Sequence, residues 1–248
     1  MSSELQAREL DHDRRNRQQH RRIGVPMRAV RLLGVLAAGA AVAVLAAGGV
    51  SADTGIRLEK ATGAGCSEPA AGQPNGKQWQ AEPGMVIDTS AGYTATLETT
   101  CGTVTIALES ARAPRTVNSF AFLSGEQYFD HTKCHRLTTQ GIYVLQCGDP
   151  TASGMGGPGY KFPDENLAGA TYPAGTVAMA NAGPGTNGSQ FFLVYQDTRL
   201  PANYTPFGRI IGGMDVLGTI AAAGVQDGSG DGAPATDVIL DSVTTVRN

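Results

Sequence analysis

The residues around position 135 and in the following glycine-rich segments exclude several common catalytic centres. His131, Cys134 and His135 are close in sequence, but in an extended segment the two histidines would lie about 13 Å apart, too far for one zinc ion. Residues 183–188 lack the Gly-Lys-Ser/Thr ending of a phosphate-binding loop, and residues 188–190 do not fit a nucleophile elbow. No pair of carboxylates lies in an apolar setting. The sequence therefore predicts no metal, no cofactor and no conventional nucleophilic or acid–base centre.

The segment from Met179 to Val194 contains a different set of chemical groups. Asn181, Gln190 and Phe192 lie in or beside a turn rich in Gly, Asn and Pro, between two apolar segments that suit strands. Glycines in such a turn let main-chain groups approach a ligand closely. A hairpin loop without chemistry is the alternative interpretation of this segment alone. Together with Arg136 upstream, the groups available are one arginine, several amides and many aromatic or apolar side chains.

The elements that must position these groups are mostly short strands. Two helices are predicted: one begins at Pro114 and stops near Gly125, and the other covers Met214–Ala223 and ends at Gly224. Many short strands with only two helices indicate a mainly β fold, a closed barrel with helices capping its ends. The predicted strands are 93–100, 103–108, 135–137, 142–147, 175–180, 190–195, 207–211 and 238–246.

The first 52 residues resemble an export or anchoring signal. Residues 1–31 are polar and Arg-rich, and we interpret them as a cytoplasmic tail or a pre-signal segment. Residues 32–52 hold 19 consecutive apolar or Gly residues and then a small-residue cleavage site near Ala52. This segment is therefore a transmembrane anchor or a signal peptide, and Met27 is an alternative start. The protein is expected either in the membrane, as a single-pass protein attached through 32–50 with its domain outside, or secreted.

The remainder of the chain divides into a linker and one domain. Residues 53–90 mix Gly, Pro, Asn, Gln and Ala with little periodicity, which is typical of a linker, and residues 91–248 form the folded domain. Residues 1–31 carry a net charge of +4, whereas the rest of the chain carries −7. An acidic folded part argues against nucleic acid as a partner.

Four cysteines are informative in a protein that leaves the cytoplasm. Cys66, Cys101, Cys134 and Cys147 allow three pairings, and four free thiols are a further alternative. If Cys134 and Cys147 lie on adjacent antiparallel strands, these two form a disulfide, which leaves Cys66 to pair with Cys101.

Five motifs in order resemble one known family, the cyclophilin-type peptidyl-prolyl cis/trans isomerases. The similarity extends over about residues 93–246, and its most specific part is 179–192. The N-terminal region is also similar, more loosely, to exported or membrane-anchored actinobacterial forms. The five motifs are His135-Arg136 followed by Gln146-Cys-Gly-Asp149, then Lys161-Phe-Pro-Asp-Glu-Asn166, Met179-Ala-Asn-Ala-Gly-Pro184, Thr186-Asn-Gly-Ser-Gln-Phe-Phe192 and Phe207-Gly-Arg209.

The resemblance implies a fold, a function and a role for each matching residue. It implies an eight-stranded antiparallel barrel closed by two α-helices, which isomerises X–Pro bonds in proline-containing polypeptides. Arg136 is the residue that we expect to donate a hydrogen bond to the prolyl nitrogen, because a guanidinium stays charged and donates in a fixed fork. The resemblance also implies, by position, which other residues bind the substrate. Gln146 and Gln190 would hold the substrate backbone, and Asn181 with Ala180 and Ala182 would lie along the substrate residue before the proline. The implied proline pocket consists of Tyr143, Val144, Phe192 and Leu200, and Tyr204 is a further substrate-binding residue.

The chain departs from the family pattern at several of these positions. Between Arg136 and Gln146 it is two residues longer than usual, so Tyr143 is assigned by counting back from Gln146. Arg199 stands where a tryptophan that aids cyclosporin binding is common, so weak cyclosporin binding is expected. The alternative function is a peptide-binding or chaperone module of the same fold with little catalysis.

Overall fold

The computed structural model describes residues 65–248, in which an antiparallel sheet and two helices enclose an apolar core. The predicted segments 1–31 and 32–52, and the start of the predicted linker, lie outside the described residues. Within residues 65–248, no helix combines the length and the apolar character needed to cross a membrane.

Ten strands form one curled antiparallel sheet, with the order β3-β10-β1-β2-β8-β6-β7-β5-β4-β9. The two helices have the predicted positions. The elements are β1 (Tyr93–Thr99), β2 (Gly102–Leu108), α1 (Pro114–Gly125), β3 (Thr132–Lys133), β4 (Arg136–Thr138), β5 (Val144–Cys147), β6 (Thr176–Met179), β7 (Phe191–Val194), β8 (Pro206–Gly212), α2 (Met214–Ala223), β9 (Asp231–Gly232) and β10 (Ile239–Arg247).

The predicted closed barrel of eight strands differs from this sheet in strand number. The eight predicted strands are all present, and β3 and β9, of two residues each, are additional. These short pairings arise where distant loops meet β10 and β4, so they leave no periodic pattern in the sequence. No ladder joins β3 to β9 at the two ends of the sheet in the part of the chain that the structure describes. The sheet is therefore described as ten curled strands.

Successive residues of β5, β6 and β7 alternate between two apolar clusters on opposite faces of the sheet. Leu145, Leu193 and Val177 belong to the main core between the sheet and the helices. Val144 and Phe192, each one residue away, belong to a second cluster on the outer face. The twofold side-chain period of a strand places neighbours on opposite faces, so both faces of this part of the sheet bury apolar groups. The outer cluster underlies the candidate site.

Glu165 closes the first turn of α1. Its carboxylate oxygens accept hydrogen bonds from the main-chain N–H of Arg115 at 3.1 Å and of Thr116 at 2.8 Å. A carboxylate at a helix N-terminus satisfies N–H groups that have no partner within the helix and interacts well with the helix dipole. Glu165 thus has a structural role in the motif 161–166.

Residues 65–90, which we call the strap, lie against the domain without forming an α-helix or a β-strand. The main-chain N–H of Trp79 donates to the Pro158 carbonyl at 2.8 Å, and the Trp79 ring contacts Phe122 edge-on at 5.2 Å. The buried Asn118 side chain accepts from the Val86 N–H at 2.8 Å. The irregular backbone agrees with the linker composition, but these contacts attach the described part of the predicted linker to the domain.

Two disulfides are present, and they have the pairing that strand adjacency suggested. Cys134 is bonded to Cys147, which joins the segment before β4 to the end of β5. Cys66 is bonded to Cys101 in the turn between β1 and β2, which attaches the start of the strap to the sheet. No free cysteine remains among residues 65–248.

Candidate active site

One row of side chains crosses four adjacent strands on the outer face of the sheet. Arg136 of β4 is opposite Gln146 of β5, Gln146 is opposite Phe192 of β7, and Phe192 is opposite Ala178 of β6. Residues opposite one another in antiparallel strands point to the same face. The sheet register therefore places the arginine, an amide and an aromatic ring side by side.

A cavity of about 480 Å³ opens beside this row. Val144 and Phe192 are each 3 % exposed and form its apolar base. The Tyr204 ring meets Phe192 edge-on at 5.6 Å, which closes one side of the apolar surface. Ile142 and Leu200 complete the apolar lining. This cavity, which we call the apolar cavity, has room for a compact apolar ring.

The guanidinium of Arg136 lines the apolar cavity and is held by Asp231. Nε donates to Oδ1 at 2.7 Å, and Nη2 donates to Oδ2 at 2.7 Å. These bonds raise the pKa of Arg136 above its usual value, and the same arginine lowers the pKa of the Asp231 carboxyl. Nη1 is directed to the other side, where it donates to Oε1 of Gln146 at 3.3 Å. These hydrogen bonds hold the positively charged guanidinium of Arg136 at the edge of the cavity.

A chain of amides continues from Gln146 to a glycine-rich loop. Nε2 of Gln146 donates to Oε1 of Gln190 at 2.8 Å, and Nε2 of Gln190 donates to the carbonyls of Gly154 and Gly156 at 3.0 and 2.9 Å. Asp149, which is fully buried, holds this loop by accepting from the Gly156 N–H at 3.0 Å. Burial opposes ionisation of Asp149, but hydrogen bonds from Thr151 and the loop outweigh it and lower its pKa. The two glutamines are therefore fixed in orientation.

A second cavity of about 900 Å³ lies beside the first. Gln146, Gly154, Ala180 and Asn181 line both cavities, so the two are continuous. Gln78, Gln80, Ala81 and Glu82 of the strap form part of its lining. We call it the strap cavity.

The structure brings most of the predicted site residues together. Arg136, Val144, Gln146, Ala180, Asn181, Phe192, Leu200 and Tyr204 line the apolar cavity. Gln190 and Ala182 line the strap cavity instead. Tyr143 lines neither cavity, and its ring contacts Tyr195 at 6.0 Å.

Ile142 occupies the cavity position that we predicted for Tyr143. Val144 and Gln146 line the cavity, and the twofold period of an extended chain puts Ile142 on their side and Tyr143 on the other. Counting back from Gln146 gave Tyr143, the residue next to Ile142. The segment after Arg136 is two residues longer than usual in the family, so the usual spacing no longer identifies the position. The alternation itself was a signal that could have identified Ile142.

Asp231 and His135 were not among the predicted site residues, although His135 belongs to the first family motif. Asp231 is 95 residues from its partner Arg136, in a loop with no pattern that links the two. His135 lines the apolar cavity, and neither of its ring nitrogens has a hydrogen-bond partner. Burial is the main cause that lowers the pKa of His135, with a further contribution from the Arg136 charge, while Asp149 acts in the opposite direction. The imidazole is therefore neutral at pH 7.

The arrangement can bind an apolar group in the cavity and place one positive charge beside it. A guanidinium of fixed orientation stands at the edge of an apolar cavity, and amides line the adjoining groove. In residues 65–248, no cluster of three or more His, Cys, Asp or Glu side chains could hold a metal ion.

Comparisons with known proteins give this geometry a context. Residues 94–245 match the family described as "Cyclophilin type peptidyl-prolyl cis-trans isomerase/CLD". The "Probable peptidyl-prolyl cis-trans isomerase B" of Mycobacterium leprae is 48 % identical over 174 residues, which are 64 % of this chain and 59 % of that protein. The protein of the same name in Mycobacterium tuberculosis is 45 % identical over 174 residues, with 64 % and 56 % covered. The chain thus spans less than two thirds of the length of these relatives.

A solved structure agrees with the sequence comparisons. The crystal structure of a Cryptosporidium parvum cyclophilin-type peptidyl-prolyl cis-trans isomerase in the presence of the dipeptide Ala-Pro is similar to this chain, with a TM-score of 0.56 and 30 % identity. The similarity covers 62 % of this chain and 99 % of that one. On the family match, these relatives and the shared fold, the chain belongs to the family of cyclophilin-type peptidyl-prolyl cis-trans isomerases.

Proposed function

We propose that this protein accelerates cis/trans isomerisation of X–Pro peptide bonds in polypeptides. The observation that carries the proposal is the guanidinium of Arg136, which Asp231 orients at the edge of the apolar cavity. The related Cryptosporidium protein was crystallised in the presence of Ala-Pro, which belongs to the same class of ligand.

The reaction requires no covalent bond to the enzyme. The barrier of about 18–20 kcal/mol comes from the partial double bond between the carbonyl carbon and the prolyl nitrogen. As this bond rotates, resonance is lost and the nitrogen recovers a lone pair. A cation that donates a hydrogen bond to that lone pair stabilises the twisted state more than either planar state, which is the condition for catalysis. Arg136 is the group that supplies this hydrogen bond.

The apolar cavity determines where the proline ring binds. We place the ring against Phe192 and Val144, with Ile142 and Leu200 at its sides, because these residues supply the apolar lining. The residue before the proline then lies along Ala180–Ala182, where the two cavities meet. Gln146 contacts both Arg136 and Gln190, so it fixes the position of the guanidinium relative to the groove that Gln190 lines.

We propose that the domain acts outside the cytoplasmic membrane, on proteins that fold there. The apolar run 32–50 after Arg28 and Arg31 supports membrane attachment or export. Two disulfides support an oxidising compartment.

Weak cyclosporin binding is a further part of this proposal. Arg199 stands where the family commonly has a tryptophan that aids binding of the drug, and its side chain is exposed and lines neither cavity. A cyclosporin titration should give inhibition weaker than nanomolar; nanomolar inhibition would contradict this.

The deciding experiment compares the full chain with its Arg136→Ala and Arg136→Lys variants in an X–Pro peptide isomerisation assay. Removal of one group that stabilises a transition-state charge typically costs about a hundredfold or more in rate, so Arg136→Ala should lose most activity. Arg136→Lys should retain a part, because a lysine has the charge without the fork. Arg112→Ala is the control, because Arg112 is exposed, pairs with Glu109 and lines neither cavity.

The outcomes separate the isomerase from a binding module. Catalysis that survives Arg136→Ala would keep the isomerase and assign the electrophilic role to another group. Peptide binding without catalysis by the unmodified chain would support a peptide-binding or chaperone module of the same fold.

A further inference from the structure

We propose that strap residues Gln78, Gln80, Ala81 and Glu82 are part of the substrate site, where they contact the polypeptide two and three residues before the proline. The inference rests on the proposed function, because it extends the path of the peptide beyond the apolar cavity. The ligand class is an extended chain with polar, uncharged groups at those positions.

The strap cavity continues the groove on the side of the residue before the proline. Ala180, Asn181 and Ala182 line it on one side, and Gln78, Gln80 and Glu82 of the strap line it elsewhere. Its volume of about 900 Å³ is nearly twice the 480 Å³ of the apolar cavity. A peptide whose proline fills the apolar cavity therefore has room for more than one preceding residue beside the strap.

Close backbone packing holds this part of the strap in place. Gly159 has a φ of +90°, and a Cβ added there would lie 2.5 Å from the Trp79 carbonyl oxygen. Glycine is thus needed for the approach of the two backbones. Nε2 of Gln78 also donates to the Gly157 carbonyl at 2.7 Å. The strap side of the cavity is consequently held in a fixed position against the domain.

The anchoring continues on both sides of these residues. A Cβ on Gly72 would lie 2.1 Å from the His131 ring, so the strap crosses that ring in close contact. Nδ2 of Asn118 donates to the Gly84 carbonyl at 3.0 Å, beyond the segment that lines the cavity. The residues between these two anchors are therefore held against the domain on both sides.

The lining of the strap cavity favours uncharged polar groups. Its amide side chains come from Gln78, Gln80, Gln146, Asn181 and Gln190. Amides donate to and accept from a peptide backbone or an uncharged polar side chain.

The charged groups of the strap cavity give it little net charge. Glu82 and Lys161 have opposite signs, and Arg115, which pairs with Glu82 outside the cavity lining, also interacts with the charge of Glu165. We therefore expect the unmodified chain to discriminate weakly between acidic and basic residues two or three positions before the proline.

The family match begins at residue 94, after the strap. The apolar cavity is formed by residues within the matched range, whereas the strap adds a surface from outside it. This chain therefore has a specificity determinant in its N-terminal region that the matched domain alone does not contain.

The test introduces a charge on the strap and varies the charge of the peptide. Gln80 is exposed and lines the cavity, so Gln80→Arg and Gln80→Glu are made in the full chain. Gln73 is an exposed strap glutamine that does not line the cavity, and Gln73→Arg and Gln73→Glu are the matched controls. Substrates carry Glu or Lys two and three positions before the proline, and a short X-Pro peptide lacks those positions.

The expected result is an opposite change in preference for the two Gln80 variants. Since exposed ion pairs contribute at most about 1 kcal/mol, Gln80→Arg should raise the Glu-to-Lys ratio of kcat/KM about two- to fivefold, and Gln80→Glu should lower it similarly. The Gln73 variants should leave the ratio unchanged and should isomerise the short peptide at the rate of the unmodified chain. Equal ratios for the Gln80 and Gln73 variants would overturn the proposal.

Measuring Kd for the same peptides separates this inference from the proposed function. If Kd of the Gln80 variants depends on the charge of the peptide but no protein catalyses isomerisation, the strap is part of the peptide site and the isomerase is overturned. The opposite outcome is that the unmodified chain catalyses isomerisation, while kcat/KM and Kd of the Gln80 variants do not depend on the charge of the peptide. That result would support the isomerase and overturn the role of the strap.

Discussion

Arg136 and Asp231 meet through two parallel hydrogen bonds of 2.7 Å, although they are 95 residues apart. Asp231 belongs to β9, which pairs with β4, the strand that begins with Arg136. A carboxylate that binds two donors of a guanidinium restricts its rotation. The orientation of the proposed electrophile therefore depends on a loop near the C-terminal end of the chain.

Asp231→Asn should reduce kcat/KM about five- to tenfold, a loss of about 1–1.4 kcal/mol in transition-state stabilisation. The amide cannot accept both N–H groups, so Arg136 gains rotational freedom. The melting temperature should change little, because both partners are partly exposed and such ion pairs contribute at most about 1 kcal/mol.

Asp227→Asn is the matched control for this variant. Asp227 lies in the same loop and accepts from the Ser229 N–H at 3.0 Å. Equal activities of the Asp231 and Asp227 variants would show that the ion pair does not position Arg136. Because the pKa of Asp231 is lowered mainly by Arg136, the carboxylate stays ionised as the pH falls until that lowered value is reached, so assays near neutral pH measure the paired form.

Ile142→Ala should impair substrate binding more than Tyr143→Ala. Ile142 lines the apolar cavity, whereas Tyr143 packs on Tyr195 outside it. Removal of apolar contact area from the proline site should raise KM about three- to tenfold, an effect of about 1 kcal/mol. Steady-state kinetics of the two variants would check this, and a larger KM effect for Tyr143→Ala would restore the original assignment.

His135 should make the folded state less stable in mild acid. Its pKa is below the ordinary 6.5, chiefly because of burial. As the pH falls below about 6.5, the unfolded chain takes up a proton that folded His135 does not, so the free energy of unfolding decreases until the folded pKa is reached.

Urea unfolding of the unmodified chain and of His135→Gln, between pH 7.5 and pH 5, would measure this effect. The unmodified chain should lose more stability over that interval than the variant, in which the group is absent. Parallel losses in the two proteins would contradict the assignment to His135.

The two disulfides should differ in their effect on activity. Removal of a native disulfide costs about 2–4 kcal/mol of stability, and both bridges should show this in melting experiments. Cys134, two residues before Arg136, is bonded to Cys147, which follows Gln146, so the double Ser variant at 134 and 147 should also lose activity on short peptides.

The Cys66–Cys101 bridge attaches the strap, which we propose contacts only peptides longer than a short X-Pro substrate. The double Ser variant at 66 and 101 should therefore keep short-peptide activity at a temperature where it is folded. Equal melting temperatures of the unmodified chain with and without reductant would contradict the stabilising role of both bridges.

The secondary structure could be predicted because its signals are local. Alternation in 93–108 predicted the hairpin of β1 and β2, and Pro114 and Gly125 predicted the bounds of α1. Glycine, proline and β-branched residues restrict the backbone wherever they occur, so these patterns do not depend on the rest of the fold. The family motifs identified Arg136, Gln146 and Phe192 of the apolar cavity in the same way, because each motif is contiguous.

The sequence by itself therefore determined the family, the two helices and eight of the ten strands, and it predicted Arg136, Gln146 and Phe192 of the candidate site. Only the tertiary structure showed that Asp231 holds Arg136, that Ile142 replaces Tyr143 in the cavity, and that the strap lines a second cavity. Each of these depends on contacts between residues far apart in the chain or on the face to which a side chain points. Composition and local spacing contain neither kind of information, because chain folding brings such residues together through packing and main-chain hydrogen bonds.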